Sequence, residues 1–565
     1  MTSKSNDRRP APISRTGARH LVDTLIRNGV DTVFCVPGES YLSVLDALHD
    51  VGDAIRLVVC RQEGGAAVMA EAYAKLTGRP GIVFVTRGPG VTNASIGLHT
   101  AQQDSTPVIL FMGQVGTGEF EREAFQELDV RRVFPSMTKW AAQIDRADRV
   151  VEMVGHAFST AMNGRPGPVV LALPEDMLID EAECRPAAPA RKADAAPSAA
   201  DLAELRDRLA EADKPFLIVG GGGWSPAARD AVCRFAEAWS LPVGTSFRCQ
   251  DYIDNDHACY AGDVGIGANP ALVDRVKEAD LLIVLGPRLG EMTTGGYTVV
   301  EAPLPRQSIV HIHADPEELG RVYHTALPIA ASPLAAAEAL AALPPPAGDP
   351  AWSGDAATMH QSYLSWQDEQ PMVGDVNLSA VVRHLSETEG PDAIFANGAG
   401  NFAAWLHRFY RYRGYRTQLA PTSGAMGYGL PAAVAAAIVD PSRRVTCWAG
   451  DGDIMMTIQE LATAVQYGAS LTVIIVNNGM FGTIRMHQER EYPTRVSGTA
   501  LVNPDFVALA RSFGARAERV TRTDMFADAL ARVRDGDGVG LIELVTDQET
   551  ISPRATISGL RAAAK

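Results

Sequence analysis

Residues 445–480, VTCWAGDGDIMMTIQELATAVQYGASLTVIIVNNGM, constrain the fold more than any other stretch of the chain. Residues 445–449 are a short apolar run of the kind that fills a strand buried on both faces. Gly450-Asp451-Gly452-Asp453 follows, a loop with two carboxylates and two glycines. Ile454, Met455, Ile458, Leu461, Ala462 and Val465 then recur at helical spacing, which predicts one helix with an apolar face, ended by Gly468. Residues 471–476 read as a second buried strand, broken by Asn477-Asn478-Gly479. Such a strand–helix–strand unit belongs to an open α/β sheet, and those sheets bind ligands at the carboxyl ends of their strands. There Asp451 offers a carboxylate and Asn478, 27 positions on, an amide carbonyl, with the Met480 backbone carbonyl placed to add a third oxygen. Hard oxygens with open positions left over suit Mg2+. Gly450 and Gly452 let the backbone approach a diphosphate, and the helix N-terminus adds dipole support.

The rest of the chain repeats this grammar. Apolar strands at 32–36, 55–60, 81–86, 108–112 and 169–173 alternate with helical patterns in the first third. Strands at 215–219, 280–285 and 308–313 follow in the second. Pro- and Ala-rich stretches separate the parts, so the expected order is a disordered arm over 1–12, an α/β domain over 13–182, a linker over 183–200, a central domain over 201–342, a linker over 343–374, a third domain over 375–550 and a tail over 551–565. A length of 565 residues accommodates three such domains. The net charge of −16 argues against nucleic acid or an anionic membrane as partner, so an anionic substrate has to be met by local cations. The seven cysteines are scattered without a CxxC pair, which fits reduced thiols and the cytoplasm. The polar start MTSKSNDRRPAP lacks a signal-peptide core, and no apolar run approaches the roughly 18 residues of a membrane helix.

GDG followed by NN at this spacing resembles the thiamine-diphosphate (ThDP) binding motif. ThDP chemistry also needs a carboxyl group against the aminopyrimidine N1′. Glu63, at the end of the strand 55–60 and the start of the helix opened by Gly64-Gly65, is the candidate. A helix N-terminus would lower its pKa and burial would raise it; only the raised form suits proton exchange near neutrality. RQEGGAAVMAEAYAKLTG, RGPGVTNASIGLHTAQQDSTPVI, AFQELD, GRPGPVVLALPEDM, ANGAGNFAAW and PTSGAMGYGLPAA follow in family order. The whole chain is similar to the acetolactate synthase-like branch of ThDP enzymes.

That resemblance implies three doubly wound parallel-sheet α/β domains: pyrimidine-binding, central and diphosphate-binding. It implies Glu63 as catalytic glutamate, and Gln126 and Lys139 on the substrate side. It places Gly400, Asn401 and Phe402 at the diphosphate, Phe402 through its backbone. Gly424 offers its carbonyl to the 4′-amino group, and Met426 is the apolar wedge that bends ThDP so that this group meets C2. The GDGD loop, Gly450, Asp451, Gly452 and Asp453, completes the cofactor set, with Asp451, Asn478 and Met480 on Mg2+. The site is expected between two copies of the chain, in a homodimer or homotetramer; a regulatory subunit is not legible.

Departures concentrate on the substrate side. Gln62 stands where many acetolactate synthases have His, Arg87 where a small residue is usual, and His487 where biosynthetic members have Trp. His487 reads either as a general acid, base or donor to an anionic substrate, or as a packed loop histidine. His311 and His313 bracket a strand and read as structural. The glycines 220–223 follow a strand without completing GxGxxG, and Met292 replaces a second arginine beside Arg288. FAD in the central domain therefore stays open, weighed against rather than for. The expected activity is ThDP- and Mg2+-dependent decarboxylation of a small 2-oxo acid, pyruvate first, with carboligation of the resulting enamine to a second carbonyl. Simple decarboxylation or aldehyde lysis or ligation is the alternative, ahead of a nucleotide-binding oxidoreductase or a non-catalytic ThDP-binding protein.

Overall fold

The apolar runs form parallel strands in a computed structural model of the chain, which describes residues 10–563. Most of the arm expected over 1–12 lies outside the described residues. The chain divides into two compact units: residues up to Ala74 with Arg79–Ala193, and Lys75–Gly78 with the chain from Asp194 onward.

The first unit holds strands β1 (Thr32–Cys35), β2 (Arg56–Val59), β3 (Gly81–Val85), β4 (Val108–Gln114), β5 (Trp140–Gln143) and β6 (Pro168–Pro174). They pair in parallel in the order β2-β1-β3-β4-β6-β5. The central strands β3, β4 and β6 are buried throughout, as unbroken apolar runs require. Helix α1 (Glu63–Thr77) leaves β2 and helix α2 (Gly88–Asp104) leaves β3. The small residues at the start of α1 serve close packing: a Cβ on Gly97 of α2 would sit 2.4 Å from the Ala67 Cβ.

The second unit contains two further sheets. Strands β7 (Pro215–Val219), β8 (Val243–Ser246), β9 (Tyr260–Val264), β10 (Leu281–Leu285), β11 (Ser308–His313) and β12 (Leu327–Ala330) take the parallel order β9-β8-β7-β10-β11-β12. Strands β13 (Ile394–Asn397), β14 (Gln418–Leu419), β15 (Val445–Gly450), β16 (Leu471–Asn477), β17 (Arg516–Val520) and β18 (Val539–Val545) take the order β14-β13-β15-β16-β18-β17.

Four segments differ from the sequence reading. Residues 183–198 are extended, but Glu181–Cys184 pairs antiparallel with Ile13–Thr16. Within 343–374, read as linker, helix α3 (Asp355–Trp366) belongs to the central core. Tyr363 packs edge-on to Tyr260, and the Trp352 indole donates to the Trp239 carbonyl at 2.8 Å. Prolines and glycines flank this helix, and they gave the whole stretch the look of a linker. The single helix expected after the GDGD loop is two, α4 (Asp451–Ile454) and α5 (Glu460–Gln466). The Thr457 hydroxyl donates to the Gly427 carbonyl at 2.8 Å and pins a turn between them. In consequence Ile454 and Leu461 are buried while Met455 and Val465 are exposed. The expected tail forms a hairpin, β19 (Thr550–Ser552) with β20 (Ala555–Thr556), and a helix after it, Ile557–Ala563.

Two consequences are measurable. Arg275 is buried and pairs with Asp355 at 2.7 Å while also donating to the Pro215 carbonyl. Asp355→Ala should cost about 3 kcal/mol in urea unfolding, since it leaves a buried guanidinium uncompensated; a loss near zero would mean that α3 is a mere connector. The second concerns His311, which is buried with Nε2 donating to the Pro287 carbonyl at 2.9 Å. Burial lowers its pKa from 6.5 to about 4, so its neutral form is a stabilising feature above pH 6.5 that is lost as pH falls through 4. Wild type should lose about 3 kcal/mol more than His311→Asn between these limits, and parallel pH profiles would contradict this.

Candidate active site

In the third sheet the chain runs one way from β13 to β14 and the other way through β15. The crevice of such a sheet opens where the order reverses, at the carboxyl ends of β13 and β15. The loop 398–402 leaves β13 there and the GDGD loop leaves β15.

Asp453 ties these loops together. Its Oδ1 accepts the Gly427 N–H at 2.8 Å and the Ala399 N–H at 3.2 Å, joining the GDGD loop, the 398–402 loop and the turn that carries Gly424 and Met426. A Cβ on Gly398 would lie 2.0 Å from Oδ1, so only glycine fits above this carboxyl. Burial pushes the Asp453 pKa up to about 7. The Phe402 ring wedges between Gly400 and Gly450, each of whose Cβ positions falls under 3 Å from it, and the Phe402 carbonyl accepts the Trp448 indole N–H. Gly452 abuts the Phe481 ring in the same way. Gly424 is left-handed with open space beside it, and Met426 is half-buried. The dipole support at the GDGD loop comes from the four-residue α4, a shorter helix than the sequence suggested.

Asp451 is buried, and that burial raises its pKa against three opposing donors. Oδ1 accepts the Gly452 N–H at 2.9 Å. Oδ2 accepts the Gly479 N–H at 2.8 Å and the Asn503 amide at 2.7 Å. Asn503 continues to the Asn477 Oδ1 at 3.0 Å, Asn477 to Glu543 at 2.7 Å, and Glu543 accepts Arg519 at 2.7 Å. This chain orients the carboxylate from behind. The Asn478 amide oxygen accepts the Met480 N–H at 3.2 Å, which sets its direction at the start of the next loop. Among the described residues no three His, Cys, Asp or Glu side chains gather as a metal cage. One desolvated carboxylate with amide and backbone oxygens beside it is a donor set for a hard, partly hydrated cation, whose charge would relieve the burial. These residues fit Mg2+ and a diphosphate. Asn503, Asn477 and Glu543 escaped the sequence reading; the doubled NN was the one local signal among them.

In the first unit Glu63 opens α1 at the carboxyl end of the sheet, and its Oε2 accepts the Asn93 amide at 3.0 Å. Gln126 lies at the same end. It is left-handed, and its carbonyl accepts the Gly88 N–H at 2.9 Å where α2 begins. Two residues placed on the substrate side have other work. Gln62 caps α1 through the Gly65 N–H. Arg87 is buried, pairs with Glu175 at 2.8 Å and donates to the Phe125 carbonyl, so it holds the loop that carries Gln126. Lys139 is not brought to Glu63 or Gln126. It precedes β5, hence stands at the amino end of the sheet, and its Nζ donates to the Asn163 carbonyl after helix Val150–Met162.

His487 is exposed on helix α6 (Gly482–Glu491), with Arg490 against its Nδ1. The helix is joined to the cofactor loops where Thr483 donates to the Asn401 Oδ1 at 2.9 Å. In the central domain the glycine run has a packing explanation. A Cβ on Gly221 would lie 2.3 Å from the Gly286 carbonyl and one on Gly286 2.3 Å from the Gly220 carbonyl. Trp224 and Tyr252 occupy the Gly220 and Gly221 carbonyls.

Three family models match the chain in the order of its sheets. They are the thiamine pyrophosphate enzyme N-terminal TPP binding domain over residues 15–133, its central domain over 202–340 and its C-terminal TPP binding domain over 398–544. The acetolactate synthase isozyme 2 large subunit of Escherichia coli K12 is 32% identical, covering 94% of this chain and 96% of the relative. The acetolactate synthase large subunit of Corynebacterium glutamicum is 33% identical over 94% and 87%, and that of Lactococcus lactis 30% over 95% and 94%. With matches over most of both chains, and a buried Asp451 at the reversal of the third sheet, the chain belongs to the thiamine pyrophosphate enzyme family, in its acetolactate synthase branch.

Proposed function

We propose that this chain is a ThDP- and Mg2+-dependent carboligase. It decarboxylates a small 2-oxo acid, pyruvate first, and joins the remaining two-carbon unit to a second carbonyl. The observation that carries the reading is the oriented, desolvated Asp451 at the sheet reversal, with its donors behind it and the diphosphate loops stapled by Asp453. Asp451, Asn478 and the Met480 carbonyl would hold the metal. Gly400, Asn401, the Phe402 backbone, Gly450, Gly452 and Asp453 would form the cradle, and Gly424 and Met426 would bend the cofactor. When bound, ThDP supplies the nucleophilic carbon and the electron sink for loss of CO2. Glu63 would hold the proton at the aminopyrimidine N1′. Gln126 would orient the donor from the loop that Arg87 braces, and His487 is the candidate for the acceptor side; Lys139, at the other end of the sheet, is given no role at this site. FAD in the central domain is weighed against rather than for, because the glycines 220–223 that suggest a nucleotide also have a loop-packing explanation.

Exposed apolar surface supports self-association. Met455, Met456, Ile484 and a fully exposed Val502 present apolar surface around the third-domain crevice, and Phe125 does so in the first unit. A homodimer or homotetramer with the site at its interface would cover them. Among the described residues no helix is long and apolar enough to cross a membrane. The seven cysteines are free thiols, which supports a reducing, cytoplasmic setting.

Asp451→Ala should weaken Mg2+–ThDP binding at least 100-fold by calorimetry, and Asn503→Ala, which leaves the ligands in place, by about 10-fold. Glu63→Gln should keep ThDP affinity within about threefold and release CO2 from pyruvate at least 100-fold more slowly. Undiminished affinity in Asp451→Ala would overturn the metal assignment, and full CO2 release by Glu63→Gln would remove the proton role from Glu63.

A further inference from the structure

Residues 548–561 are tied into the site at both ends. The Gln548 amide donates to the Asn478 carbonyl at 3.0 Å, and the Ile551 carbonyl in β19 accepts the Asn401 amide at 2.9 Å. The hairpin then turns into helix α7 (Ile557–Ala563), whose first turn is capped by Glu549 through the Ser558 N–H at 2.7 Å. Ile551, Ile557 and Leu560 close over Met480 and Met486, an apolar cluster between the metal loop and α6.

At the far end stands a fully buried carboxylate. Glu489 of α6 accepts the Arg561 Nε and Nη2 at 2.7 Å each, Arg485 of its own helix at 2.8 Å and the Thr494 N–H at 3.0 Å. Arg561 foremost holds its pKa down at about 2, so the group is charged throughout the working range. A buried charge keeps its position only while its partners stay. One of those partners belongs to a segment that the sequence presents as a tail. Helix α6 is therefore held at its start by Thr483 on Asn401 and at its end by Arg561 on Glu489, with His487 on the exposed face between.

We propose that Arg561 is a positioning residue for the acceptor side of the site: through Glu489 it holds α6, and His487 with it, against the cofactor loops. The inference rests on the carboligase reading only for the word acceptor; the clamp itself is a matter of local order.

The test uses the full chain with Arg561→Ala and, as a milder variant that keeps the charge, Arg561→Lys. Amide hydrogen exchange is followed with and without Mg2+–ThDP, alongside the dependence of rate on the second 2-oxo acid. In Arg561→Ala the amides of α6 should exchange at least 10-fold faster while those of β16 and the GDGD loop stay unchanged, and Arg561→Lys should restore part of the protection. ThDP affinity should stay within about threefold, and the KM for the second substrate should rise at least fivefold with kcat little altered. Unchanged protection of α6 would overturn the proposal, as would a loss spread evenly over the third domain. If Arg561→Ala does not fold, the same comparison between Arg561→Lys and wild type decides. A wild type without turnover on any 2-oxo acid would refute the carboligase reading, while the exchange result still judges the clamp.

Discussion

Two carboxyl groups, Asp451 and Asp453, are buried two residues apart at the end of one strand, and the third domain is built to satisfy them. Taking a carboxylate out of water is costly unless donors or a cation meet it. Asp453 is met by backbone N–H groups from two other loops, and so turns three separate segments into one cradle. Asp451 is met by Gly452, Gly479 and Asn503, yet its pKa is still raised. That residual cost is what a bound cation would recover. The glycines follow from the same constraint, because Gly398, Gly450 and Gly452 stand where any side chain would strike the carboxyl or the rings packed beside it.

The device recurs where elements must be held in register. Asp251 of the central domain accepts the Thr417 and Gln418 N–H groups beside the edge strand β14, which anchors that edge without another strand. Glu543 closes the chain of contacts behind Asp451, and Glu489 fastens the end of α6. In each case a buried acid gathers side-chain or backbone donors from other segments, and so the second unit holds together through polar contacts as well as apolar layers.

What the sequence made legible follows from this division. Strands such as β4, β6 and β16 are dominated by apolar residues, and their burial can be read directly. GDG and NN are local, so Asp451 and Asn478 can be named as candidates from the sequence alone. The break between α4 and α5 was not, because it depends on Thr457 reaching Gly427, 30 residues away in the chain. Asn503 sits in an ordinary loop sequence and acquires meaning only by touching Asp451. Gln62 and Arg87 were visible as departures, but nothing local told that one caps a helix and the other braces a loop. Lys139 precedes β5, and strand polarity alone puts it at the opposite end of the sheet from Glu63.

His487, a departure that the sequence expectation put on the substrate side, stands exposed on α6. The most direct test of the account is product analysis by mass spectrometry of the purified full-length chain given Mg2+, ThDP and pyruvate, without added FAD. The account predicts CO2 together with acetolactate. CO2 with acetaldehyde alone would contradict carboligation, and a chain that neither binds ThDP nor releases CO2 from any 2-oxo acid would contradict the reading of Asp451 itself.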